Sequence, residues 1–205
     1  MTQNNQQNNQ QHLISVLMEN EAGSLSRLVG LFSQRGYNIE TLNVAATEDP
    51  SISRLTLTTI TSPSKIEQIT KQLHKLIEVV KVINLTDNKH VERELMLIKV
   101  RAMGNVREEI KRSADIFRAQ IVDVTANIYT VQIVGDAAKL DGFIDVIGRE
   151  RILEVVRSGV IGIARGERTL AVKVMDWSGF FSSFLGVLGA MPILGFFLGF
   201  LEKFS

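Results

Sequence analysis

The sequence predicts an α+β protein built from two tandem β-α-β-β-α-β modules, each an antiparallel four-stranded sheet with two helices on one face. Three observations lead there. Apolar residues recur with period two in some segments and at i, i+3, i+4, i+7 in others, and the order of those segments occurs twice along the chain. The 205 residues are 45% hydrophobic and 22% charged, a globular composition with enough apolar side chains for a buried core.

The elements follow in chain order. Residues 1–11, MTQNNQQNNQQ, read as a disordered polar tail without the basic start and apolar core of a secretory signal. In LISVLM, Ile14, Val16 and Met18 share one face, the pattern of a half-buried strand. Leu25, Leu28, Val29 and Phe32 then mark one face of a helix, and Arg35-Gly36 supplies a cation and a glycine to end it. Ile39 to Ala46 reads as a strand leading into the turn EDPS, with RLTLTTI as its antiparallel partner. Ser62-Pro63 opens a second helix with Ile66, Ile69, Leu73, Leu76 and Ile77 on its inner face, and VVKVINL closes the first module.

The same order then repeats. LMLIKVRA is a strand; Val106, Ile110, Ala114 and Phe117 mark a helix; IVDVT and IYTVQIV are strands joined by a turn at Ala126-Asn127. Leu140, Phe143, Ile144 and Ile147 mark the last helix, and ILEVVRSGVIGI reads as one final strand. The stretch TDNKHVERE, around residues 86 to 94, is expected to link the two modules. Split β-α-β units of this kind give the ferredoxin-like arrangement.

Composition narrows the function. Lysine plus arginine (23) nearly balances aspartate plus glutamate (22), so no broad positive field gathers nucleic acid. The absence of cysteine excludes disulfides, thiolate metal sites and thiol nucleophiles, and fits a reducing, cytoplasmic setting. Ferredoxin-like sheets that carry copper use a C-x-x-C pair, which is missing here. Those that bind RNA stack bases on aromatic residues of the central strands, and RLTLTTI has no ring. His12, His74 and His90 fall in three separate segments without a nucleophile motif, so no catalytic residue and no metal set is expected.

The loop ENEAGS stands apart because it joins a strand end to a helix N-terminus, where three or four N–H groups lack an intrahelical partner. Two readings are open. In one, a ligand carboxylate accepts hydrogens from the amides of Gly23, Ser24 and Leu25, with Gly23 permitting close approach and Asn20 orienting the ligand. In the other, Gly23 makes the turn, Ser24 caps the helix and Asn20 ends the strand.

Beyond periodicity, the segments ENEAGSLSR, GLFSQRGYNIETL, KQLHKLIEVVKV, VEREL, DIFRAQIVDVT and RSGVIGIARGER, in consistent order from about His12 to Arg168, resemble the small regulatory subunits of acetohydroxyacid synthase (acetolactate synthase). The resemblance implies an ACT domain over residues 12–86 and a second ferredoxin-like regulatory domain over 93–168. It implies a non-catalytic chain of branched-chain amino acid biosynthesis that activates a large catalytic subunit and confers feedback inhibition by valine. That catalytic partner is expected to use thiamine diphosphate, Mg and FAD, with no cofactor in this chain. The resemblance also implies a homodimer through the ACT domains, with the effector between the loop of one chain and the region after the first helix of the other. Carried onto this sequence, the effector residues are Asn20, Ala22, Gly23, Ser24, Leu25 and Ser26, faced by Asn38 and Ile39 of the second chain.

Residues 169–205 lie outside that resemblance. No charged residue occurs from Phe180 to Leu201, about the ~20 residues needed to cross a bilayer. Gly195 and Gly199 have small-xxx-small spacing, and Pro192 sits mid-segment. Either the segment associates with a membrane, giving a tethered amino-acid sensor, or it is an appended apolar tail.

Overall fold

The computed structural model describes residues 9–170. The first module comprises β1 (Gln10–Glu19), α1 (Ser24–Gln34), β2 (Thr41–Ala46), β3 (Ile52–Thr61), α2 (Pro63–Leu73) and β4 (Val79–Asn84), with strand order β2-β3-β1-β4. The second comprises β5 (His90–Arg101), α3 (Val106–Ile116), β6 (Gln120–Val124), β7 (Ile128–Gly135), α4 (Ala137–Ile147) and β8 (Ile152–Arg157), with order β6-β7-β5-β8. All pairings are antiparallel, and the two modules share one topology. A short β9 (Ile161–Ala164) pairs with the start of β5.

Each module has its own core on the helix side of its sheet. Ile14, Val16, Met18, Leu55 and Leu57 meet Leu28 and Phe32 of α1 and Ile66, Ile69 and Leu73 of α2. Met96, Ile98, Val100, Val131 and Ile133 meet Ile110 and Ala114 of α3 and Leu140, Phe143 and Ile147 of α4. The end of α1 is a Schellman turn: Tyr37 N–H donates to Phe32 O at 2.9 Å, Gly36 N–H to Ser33 O at 3.2 Å, and Gly36 takes φ +65°. The Tyr37 ring packs edge-on against Phe32 at 6.1 Å, the apolar contact that accompanies this cap.

Four expectations are corrected. The strand β1 is buried on both faces rather than one, from His12 through Met18. Its second face is covered by residues 158–162 of the other module: Leu13 and Leu85 pack with Val160, the Arg54 guanidinium donates to Gly162 O at 2.8 Å, and Asn43 Nδ2 donates to Ser158 O at 3.4 Å. That crossing explains the second correction. ILEVVRSGVIGI is two strands, broken after Arg157 where Gly159 adopts φ +81° and redirects the chain across the first sheet. Third, the expected linker is half strand, since His90 to Arg93 begin β5 and pair with β9. Fourth, α2 stops at Leu73 in a run of tight i→i+3 turns, so Ile77 lies 89% exposed instead of facing the core. Likewise Leu25 is 38% exposed while Leu28 and Phe32 are buried.

Candidate functional site

The loop between β1 and α1 is exposed on the surface at Asn20, Glu21, Ala22 and Gly23, and so are Leu25 and Ser26 on the first helical turn. Gly23 is the residue that starts the helix, in a left-handed conformation with φ +93° that L side chains rarely adopt. Helical bonding begins with Arg27 N–H donating to Gly23 O at 3.0 Å, and Ser24 N–H reaches back to Glu21 O at 3.2 Å. Among the described residues, the amides of Leu25 and Ser26 have no partner, no side chain caps the helix, and no acidic residue lies in its first turn. Two aligned donors and the positive end of the helix dipole thus point at open surface.

Ser24 does not cap α1. It sits one residue inside the helix, 2% exposed, and its Oγ has no hydrogen-bond partner among the described residues. A buried hydroxyl without a partner is costly, and this one lies beneath the surface of the turn. Asn20 does end the strand: its N–H donates to Ser51 O at 2.7 Å and its Nδ2 to Pro50 O at 2.9 Å, anchoring the loop to the turn before β3. Its Oδ1 remains available.

Sequence reasoning missed a cation here. The Arg27 side chain passes over Gly23, with Nη1 3.7 Å from where a Cβ on that glycine would lie, and its Nε pairs with Glu78. Glu78 is buried, so the guanidinium is fixed from below while half of it faces solvent. The available signal was a basic residue four positions after the glycine, which a helix places one turn along the same face.

Asn38 and Ile39 are not near this loop within one chain. Thr41 at the start of β2 registers with Thr58, and Thr58 with Leu13 near the start of β1, whereas the loop follows Glu19, which registers with Ile52. The two groups therefore occupy opposite ends of the sheet. Strand β2 is an edge, with Leu42 and Val44 exposed beside it. A second copy pairing antiparallel along β2 reverses the ends and carries its Asn38 and Ile39 toward the loop's end of the sheet. Within one chain, Asn38 Nδ2 donates to Glu40 Oε1 at 2.6 Å, and its backbone O accepts from the Thr59 hydroxyl at 2.7 Å.

The candidate membrane segment lies outside the described residues, among which no helix is long and apolar enough to cross a membrane.

Comparison with known proteins agrees with the architecture. Residues 14–81 match the model of the AHAS small subunit-like ACT domain, and residues 93–166 match that of the small subunit of acetolactate synthase. The acetolactate synthase small subunit of Haemophilus influenzae is 55% identical over 159 residues, covering 77% of this chain and 98% of that protein. The isozyme 3 small subunit of Escherichia coli is 54% identical with the same coverage. The crystal structure of the Thermotoga maritima small subunit superimposes with a TM-score of 0.71 at 36% identity, covering 78% of this chain and 99% of that one.

Proposed function

The chain belongs to the acetolactate synthase small-subunit family, and on that premise we propose that it is a cytoplasmic, valine-responsive regulator of a separate catalytic large subunit. The observation that carries this reading is the N-terminal turn of α1, with its free amides, absent acids and partly exposed Arg27 above a left-handed glycine. The effector carboxylate takes the Leu25 and Ser26 N–H groups, with the Ser24 hydroxyl and Arg27 beside it. The ammonium meets Asn20 Oδ1, and Asn38 and Ile39 of a second copy close the site across a twofold seam along β2. Gly23 and Ala22 leave room for that approach.

Magnitudes suit a metabolite gauge. Charge-assisted hydrogen bonds of about 1.5 to 3 kcal/mol each and a buried isopropyl group of about 1.5 to 3 kcal/mol offset several kcal/mol of association cost. A dissociation constant in the micromolar to sub-millimolar range, roughly 5 to 8 kcal/mol, results. Discrimination against leucine rests on about one methylene, roughly 1 to 3 kcal/mol, so other branched-chain amino acids elicit a weaker response. A ligand seated between chains couples occupancy to dimer geometry, and dimer geometry to the catalytic partner. Thiamine diphosphate, Mg and FAD belong to that partner in this reading.

The test is reconstitution. The purified chain forms no acetolactate from pyruvate alone, raises the rate of its large subunit, and renders that rate sensitive to valine. Calorimetry with the isolated chain gives a valine site that Gly23→Asp weakens; absence of any heat up to about 10 mM, beyond the affinity range derived above, overturns the effector assignment.

A further inference from the structure

A cavity lies on the helix side of the first sheet, at the far edge from β2, between α2 and β4. It measures about 560 Å³ and is floored by Ile66 and Val82. Its inner wall is His12, at the start of β1, and its rim carries Arg168 and Asp87. His12 is 1% exposed, and neither ring nitrogen has a hydrogen-bond partner among the described residues. An imidazole always offers at least one N–H donor, and burying it with both nitrogens unmatched is unfavourable unless something polar enters from the cavity. The rim is charged in a balanced way. Lys71 is paired with Glu67 at 2.7 Å, Arg168 donates to the neutral Asn88 side chain, and the Asp87 carboxylate accepts no hydrogen bond among the described residues. Among the described residues, that leaves a guanidinium without an anionic partner, an unengaged carboxylate and an orphaned imidazole around an apolar floor.

We propose that this cavity is a second ligand site, distinct from the α1 turn, for a small zwitterionic metabolite of the α-amino acid class. Its carboxylate is taken by Arg168 and the His12 ring N–H, its ammonium by Asp87, and its side chain rests on Ile66 and Val82. A lone anion fits less well, because Asp87 repels it; a lone amine fits less well, because Arg168 does.

The probe is the ¹⁵N-labelled full chain, with the His12 ring nitrogens followed by NMR during separate titrations with L-leucine, isovalerate and isoamylamine. Leucine shifts the His12 signals saturably, and the carboxylate-only and amine-only probes do so at least about tenfold more weakly, one lost ionic contact of roughly 1.4 kcal/mol. Arg168→Gln and Asp87→Asn each raise the leucine midpoint about tenfold, and Gly23→Asp leaves it unchanged, so the α1 turn fails or stands separately. An unmoved His12 signal, or equal response to all three probes, overturns the proposal. So does an unaltered leucine midpoint in both rim variants, which marks the imidazole as satisfied by resident water only.

Discussion

The turns before α1 and α3 occupy the same place in two modules of one topology, yet they present opposite chemistry. Before α1, the first turn holds no acid, and Arg27 stands partly free above a left-handed glycine. Before α3, Glu108 and Glu109 lie in the first turn and complement the helix dipole internally. Glu109 stands where α1 has Arg27, and the cation at this helix start, Arg107, is spent on the chain itself: it donates to Ala126 O at 2.6 Å and Thr125 O at 3.2 Å, and stacks over Tyr129 at 4.7 Å. One helix start is complemented by its own acidic residues, and the other has no acid of its own, which is where the proposed effector carboxylate is placed. Repeated topology thus preserves the scaffold while first-turn charge decides which copy can bind an anion, and the second module is expected to serve architecture or partner contact.

The sheets differ in the same sense. The central strands β1 and β3 of the first are largely covered on both faces, whereas the second leaves Leu95, Leu97, Val134 and Val156 partly exposed opposite its helices. Leu17 and Leu97 provide the sharpest contrast, both on central strands and on the non-helical face. Leu17→Ala is expected to cost about 3 kcal/mol in urea unfolding and Leu97→Ala less than about 1. Equal losses would mean that the second face is also covered in solution.

Next in size, Gly23→Asp sets a carboxylate where the effector's belongs. Valine inhibition of the reconstituted enzyme should weaken by at least about 100-fold, some 2.7 kcal/mol, with activation largely intact; inhibition at the usual valine concentration would refute the loop assignment. Ser26→Glu makes the first turn of α1 resemble that of α3. It is expected to stabilise the helix by about 0.5 kcal/mol while raising the valine midpoint about tenfold, so that stability and affinity move in opposite directions. The smallest effect concerns the helix ends. Both α1 and α3 finish in a Schellman turn, but the left-handed residue is Gly36 in one and Arg118, φ 52°, in the other. Arg118→Gly should gain about 0.5 to 1 kcal/mol in thermal unfolding, and Gly36→Arg should lose about as much, since open space surrounds Gly36 and only its backbone is at stake.

Much of this was legible in the residues. Arg35-Gly36 announced the end of α1, Ser62-Pro63 the start of α2, and Ala126-Asn127 the turn between β6 and β7. The double burial of β1 was half legible: LISVLM is apolar at Leu13 and Leu17 as well as at Ile14, Val16 and Met18, the run of a strand covered on both faces. Alternation on one face was the weaker guide. The break at Gly159 was harder to see, because RSGVIGI has β-favouring residues on both sides and only the crossing onto the first sheet demands the turn. Ile77 was misplaced because a helical spacing continues in letters after the backbone has tightened into turns at His74.

By itself the sequence determined what local rules govern: the periods of the strands and helices, their repeated order, the caps, and a glycine at a helix start, because each depends on residues within a few positions of one another. Only the tertiary structure decided what depends on distant segments meeting. It placed Arg27 between Gly23 and a buried Glu78, left the side chains of Ser24 and His12 without partners among the described residues, laid residues 158–162 over the first sheet, and separated Asn38 and Ile39 from the loop they are proposed to face. Those outcomes follow from packing and register, which no short window of sequence encodes.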